Sequence, residues 1–161
     1  MTKSPKIAFL KARWHADIVD QSLVGFRERL DECGTCPAVL AATVLEFNVP
    51  GAFEMPLLAQ KLAQTGEYDV IVAAALVVDG GIYRHDFVAQ SVVTGLMDVG
   101  LKTGVPILSV SLTPHHFQPS DEHITFFKEH FVKKGREAAD AAIDVLRLYG
   151  QMDAPLTHAA A

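Results

Sequence analysis

DVIVAAALVV, residues 69–78, carries one charge, at its first position, and no polar residue after it. A strand with one wet face alternates apolar and polar side chains; this run does not, so it reads as a strand covered on both faces. Such a strand belongs inside a parallel sheet with helices above and below. Parallel neighbours need crossover connections, so the flanking sequence must supply helices on both sides.

It does. Upstream, IAFL at residues 7–10 is a second short buried strand, and Asp17 is placed to cap a following helix whose Val19, Leu23, Phe26 and Leu30 share one face. Gly34 and Pro37 end that helix, and AVLAATVLEFNV at 38–49 reads as an extended segment closing at Val49-Pro50-Gly51. The next helix starts near Ala52, with Met55, Leu58, Ala59 and Leu62 inward and Gly66 near its end. Downstream, a helix from about Tyr83 to Lys102 carries Val88, Val92, Gly95 and Val99 on one stripe, and Gly104-Val105-Pro106 resets the chain for the strand VPILSVSL.

After the irregular TPHHFQPSD at 113–121, Ile124, Phe127 and Phe131 fall on one helical face, and Ala138, Ala142, Val145 and Tyr149 on another. Either two helices or one interrupted near Gly135 fits. The alternation of strand and helix predicts an α/β fold with right-handed crossovers. One domain is expected over residues 1–150, with 151–161 as a flexible tail, because 161 residues suffice for a single sheet with two helical layers.

Half the residues are apolar and a fifth are charged, which excludes a disordered chain and is consistent with apolar surface covered by other subunits. The net charge of -5 and the scattered basic residues argue against a nucleic-acid partner. The sequence shows neither a secretory pattern nor a run of about 20 apolar residues, so the expected compartment is the cytoplasm, with no membrane partner. Cys33 and Cys36 have the spacing of a redox pair or half a metal site, but no second pair completes a four-thiolate site, and a free-thiol turn is favoured.

In a parallel sheet the carboxyl ends of all strands emerge on one side, so KARWH (11–15), NVPGAFE (48–54), VDGGIYRHD (78–86) and SLTPHH (111–116) should gather along one rim, where open α/β sheets bind ligands. Trp14 offers a flat stacking surface or a plain hydrophobic cap. Glu54 is a pocket carboxylate or a helix-start charge. Gly80 and Gly81 allow backbone to approach a ligand. Arg84 presents a fork suited to phosphate, and His85 exchanges protons near neutral pH. Asp86, adjacent to His85 on a helix, does not face it. His115 and His116 lack a metal-site spacing, and a role in proton transfer or phosphate contact suits one of them better. GxSxG, GxGxxG and GKS or GKT motifs are absent. The residues alone indicate an α/β enzyme for a small, polar, anionic substrate.

NVPGAFEMP (48–56), the glycine pair followed by basic residues, and KKGREAA (133–139) together resemble lumazine synthases over nearly all of residues 6–149. The resemblance implies a flavodoxin-like, three-layer sandwich with a four-stranded parallel sheet and helices on both faces. It also implies condensation of 5-amino-6-(D-ribitylamino)uracil with 3,4-dihydroxy-2-butanone 4-phosphate, giving 6,7-dimethyl-8-ribityllumazine and phosphate in riboflavin biosynthesis. No organic cofactor or metal is implied. Pockets would be shared between subunits, and the pattern is similar to the divergent second bacterial type, whose relatives form decamers from two pentamers.

Carried over by position, Trp14 stacks on the pyrimidine with His15 beside it, and Ala52, Phe53 and Glu54 hold the ring and the ribityl side. Val78, Gly80, Gly81, Ile82 and Ser109 join the substrate contacts, as do His115 and Lys128. In the family a histidine usually stands where this chain has Arg84, with His85 one place later, and Tyr83 falls in its small or hydroxyl stretch. Either His85 shuttles protons while Arg84 binds phosphate, or another histidine does so. The late phosphate-binding arginine of the family has no counterpart between Arg84 and Arg136, which leaves Lys128, His115 or His116 as substitutes. The alternative reading is a flavin- or pyrimidine-binding oligomeric protein without synthase activity.

Overall fold

A computed structural model describes residues 4–34, 36, 39, 41–80 and 84–152. Four strands form one parallel sheet: β1 (Lys6–Ala12), β2 (Thr43–Val49), β3 (Val70–Leu76) and β4 (Ile107–Leu112), in the spatial order β2-β1-β3-β4. Between and after them run α1 (Ala16–Glu32), a 3-10 turn (Ala52–Glu54) leading into α2 (Met55–Gln64), α3 (His85–Thr103) and α4 (Asp121–Met152). The fold class expected from sequence is the one observed. β1 and β3 are central, with Ala8 opposite both Leu45 and Ile71.

Every residue of β3 is buried, as its unbroken apolar run requires. Ile71, Ala73, Ala75 and Val77 face a core made with Met55, Ala59 and Leu62 of α2 and Val92, Leu96 and Val99 of α3. Val70, Val72, Ala74 and Leu76 face the other core, with Val19, Leu23 and Phe26 of α1 and Phe131, Ala139 and Ala142 of α4. The helices therefore form an α1–α4 layer on one side of the sheet and an α2–α3 layer on the other.

Three expectations change. Asp17 does not cap α1; His15 holds that position in a left-handed conformation, φ 54°, and Asp17 lies in the first turn, where it pairs with Lys128. The expected extended segment 38–49 is a strand only from Thr43, since Val39 and Ala41 lie in turns and Ala41 has φ 61°; residues 38 and 40 lie outside those described. α4 is one continuous helix. Its Gly135 is a contact point rather than a break: a Cβ there would stand 1.9 Å from the Ser22 carbonyl oxygen of α1, and one on Gly25 of α1 would stand 2.0 Å from the Val132 carbonyl oxygen. The two glycines let the helix backbones touch, so Phe127, Phe131, Ala138 and Ala142 serve one core, while Tyr149 is exposed.

Candidate functional site

The carboxyl ends of the strands share one edge of the sheet, and most of the expected site residues follow them. β1 leads into a turn held from two sides. The Arg13 backbone N–H donates to the Val49 carbonyl at 2.9 Å, and its guanidinium forks onto both Asp20 oxygens at 2.6 and 3.2 Å. Lys11, almost fully buried, reaches Asp20 at 2.9 Å and Glu46 at 3.0 Å, so its ammonium does not enter the core uncompensated. Burial raises the Asp20 pKa, but its bonds from Arg13 and Lys11 together outweigh that and leave it below the usual range. These charges fix the turn from which Trp14 projects, 72% exposed.

An aromatic ring left so open on an anchored turn presents a free flat face on which a planar group can stack. Gly51, at the end of β2, lies against that ring: a Cβ on it would be 3.9 Å from the Trp14 ring and 3.3 Å from the Glu54 carboxylate. That carboxylate accepts the Gly51 N–H at 2.9 Å, which winds the 3-10 turn and turns Glu54 back on the chain. Ala52 is half-buried against the α2–α3 core, and Phe53, next to it in the turn, is exposed. The first N–H groups of this turn have no partner within the helix, leaving donors suited to a heterocycle.

After β3, Val78 is half-buried and Asp79 and Gly80 are exposed. Gly81, Ile82 and Tyr83 lie outside the described residues. Arg84 precedes α3, one nitrogen of its guanidinium 2.7 Å from the Asp86 carboxylate and the group 4.8 Å above the Phe87 ring. Asp86 thus serves Arg84. His85, the first residue of α3, is met by Asp79: one oxygen of that carboxylate takes the His85 backbone N–H at 2.9 Å and lies 2.7 Å from ring Nδ1. The backbone bond first, then the ring, holds the Asp79 pKa below the usual carboxylate range.

The β4 end brings a cluster not anticipated from sequence. The Phe117 ring packs edge-on to His15 at 5.0 Å and lies 5.5 Å from Phe127, with His123 next to both. His123 Nδ1 accepts the Gln118 N–H at 3.2 Å, which closes the segment before α4. His115 is exposed in that segment. Lys128 comes to the same end of the molecule, but its ammonium sits 2.9 Å from Asp17, whose pKa it lowers. Ser109 stands apart, paired with Ala73 at mid-strand, three residues before the end of β4 and so about 10 Å from the rim. Ser111, on the same face but opposite Ala75, has a buried hydroxyl without a hydrogen-bond partner among the described residues.

Phe117 lies outside the stretches expected on the rim, and Asp79 and Ser111 lie within them without having been singled out. Asp79 was visible only as a turn former, and nothing in the spacing signals that a residue six positions upstream would meet His85.

The 6,7-dimethyl-8-ribityllumazine synthase model matches residues 4–150, which covers all four strands and nearly all of α4. The chain belongs to the lumazine synthase family. It is 57% identical over 136 residues to a 6,7-dimethyl-8-ribityllumazine synthase of Rhodococcus erythropolis, covering 84% of this chain and 85% of that one. It is 55% identical over 141 residues to 6,7-dimethyl-8-ribityllumazine synthase 2 of Pseudomonas syringae pv. tomato, covering 88% and 81%. A third relative, 6,7-dimethyl-8-ribityllumazine synthase 2 of Bradyrhizobium diazoefficiens, is 46% identical over 156 residues, with 94% and 91% covered. Two of the three carry the name of the second type, as the resemblance implied. Among the described residues no helix is long and apolar enough to cross a membrane.

Proposed function

We infer that this lumazine synthase family member is a transferase of riboflavin biosynthesis. It joins 5-amino-6-(D-ribitylamino)uracil to 3,4-dihydroxy-2-butanone 4-phosphate and releases 6,7-dimethyl-8-ribityllumazine and phosphate. The observation that carries the site assignment is the common sheet edge, where the anchored, open Trp14 ring and the Asp79-held His85 follow neighbouring central strands.

The pyrimidine stacks on Trp14, with the first N–H groups of the Ala52–Glu54 turn and the Phe53 ring along its edge. Arg84 exchanges its Asp86 partner for the phosphate, and one cation on the His115 and Lys128 side completes the anion contact. The pyrimidine amine attacks the ketone and water leaves to give an imine, after which phosphate is eliminated. The ribitylamino nitrogen then closes the ring on the remaining carbonyl with loss of a second water; each stage moves protons that His85 carries. Holding both substrates on one edge replaces an encounter in solution by a positioned one.

Exposed apolar side chains support an assembly. Phe87, Val93, Met97 and Leu101 of α3 fall within about a third of the helix circumference at 3.6 residues per turn, and Leu57 of α2 is also exposed. A stripe of that kind on one layer is the mark of a covered face. The assembly is pentamer-based and decameric, and the enzyme works in the cytoplasm.

Lumazine fluorescence from the two purified substrates tests the reaction; saturable pyrimidine binding with no product would overturn it. Trp14→Ala should raise the KM for the pyrimidine about tenfold or more, by the loss of roughly 1–3 kcal/mol of stacking. Arg84→Ala should weaken the phosphorylated substrate more than the pyrimidine, and equal losses would remove it from the phosphate site.

A further inference from the structure

The carboxylate of Asp79 has more to do than cap a helix. α3 begins at His85 with no side-chain cap from Arg84, and Asp79 supplies the missing acceptor from six residues upstream. The same oxygen also faces ring Nδ1 at 2.7 Å. An ionised carboxylate can only accept, so Nδ1 carries the proton, and the neutral ring keeps its lone pair on Nε2 at the opposite corner.

We propose that Asp79 is a positioning residue for the condensation, fixing the tautomer and orientation of His85 so that Nε2 is the proton-accepting atom offered to substrate. This rests on the assignment of proton transfer to His85. The bond to the His85 backbone sets the carboxylate relative to the start of α3, so the ring is steered by an acceptor that does not move independently of it. The imidazole is 20% exposed whereas Asp79 is 63% exposed, so the ring is confined and its partner carries the solvent contact. Asp86, the other nearby carboxylate, is engaged by Arg84 at 2.7 Å and does not compete. Asp79 stays ionised in the neutral range because its bonds to His85 hold its pKa low. It orients the ring without exchanging a proton itself.

Steady-state kinetics on Asp79→Ala, Asp79→Asn, His85→Ala and the Asp79→Ala/His85→Ala double variant, each checked by thermal melting, test the assignment. Asp79→Ala should lower kcat about tenfold to hundredfold while both KM values stay within about threefold. Asp79→Asn keeps an oxygen for both bonds and should recover kcat to within about fivefold of wild type. The double variant should be no slower than His85→Ala alone, because Asp79 acts only through the ring. In histidine-labelled protein, nitrogen NMR should show His85 protonated at Nδ1, and Asp79→Ala should lose that preference. Unchanged kcat in Asp79→Ala beside a slowed His85→Ala would overturn the positioning role alone, as would multiplying losses in the double variant. Unchanged kcat in His85→Ala would overturn proton transfer by His85 and the role of Asp79 with it.

Discussion

The two helical layers of this chain are held in different ways. In the α1–α4 layer the backbones touch through Gly25 and Gly135, and ion pairs bind the outer surface: Arg29 to Asp140, Arg136 to Glu28 and Glu32, and Lys128 to Asp17. The α2–α3 layer closes its inner side against β3 through Met55, Leu62, Val92 and Leu96, yet leaves Leu57, Phe87, Met97 and Leu101 open. The α1–α4 layer also leaves Val24, Phe126, Leu148 and Met152 open, so what sets it apart is its backbone contact and its ion pairs. The difference is one of means: backbone contact and ion pairs hold one layer, and side-chain packing against the sheet holds the other.

The largest effect should come from the contact that has no slack. Gly135→Ala places a methyl where the Ser22 carbonyl stands, so α1 and α4 must separate; overpacking of this kind costs about 1–3 kcal/mol or more, against which alanine's better helix propensity returns about 1. Thermal melting should show a clear loss, with Gly150→Ala, where the space is open and only the propensity gain applies, melting no lower than wild type. Equal melting of the two variants would break the distinction between the layers.

Met97→Asp with Leu101→Asp should act on the opposite layer and in the opposite way. Both side chains are exposed in the protomer, so the helical circular dichroism should persist while light scattering reports a smaller particle. An unchanged particle mass would place the assembly surface elsewhere.

The ion pairs across the α1–α4 layer should matter less. The Glu32 carboxyl is held below its ordinary range by Arg136 and then Arg29, and Asp17 by Lys128. A depressed folded-state pKa contributes stability that is present above the unfolded value and is lost as pH falls through the folded one. The contribution is therefore full at neutral pH and should fade below about pH 4. Arg136→Ala should flatten that acid slope and barely move the melt at neutral pH, since exposed pairs are weak.

Smallest of all in stability should be Trp14→Ala, within about 0.5 kcal/mol of wild type, because the ring is open to solvent. Its effect belongs to pyrimidine binding, so a large loss of stability would make Trp14 a structural cap instead.

The strands and helices were legible because burial leaves a periodic trace: the unbroken run of β3, the stripe of Val19, Leu23 and Phe26, and the inner face of α2 all stand as read. What was hidden depends on the second partner in a contact. Gly135 reads as a breaker until Ser22 is brought against it, and Asp17 reads as a cap until Lys128 arrives from more than a hundred residues away. That Trp14, Phe53, Arg84 and His85 follow strand ends on one sheet edge was legible, because strand ends are predictable in a parallel sheet. Asp79 was not, because its bond to His85 spans a loop whose path the sequence does not specify. Ser109, expected at the pocket, lies at mid-strand because β4 continues three residues beyond it.

A complex with an unreactive pyrimidine analogue and inorganic phosphate would test the central claim most directly, which is that one edge of the sheet holds both substrates. The ring should lie on Trp14, the phosphate should be within hydrogen-bond reach of Arg84, and Nε2 of His85 should face the gap between them. A pyrimidine bound away from Trp14, or a phosphate held with neither Arg84 nor the His115 and Lys128 side, would contradict the account.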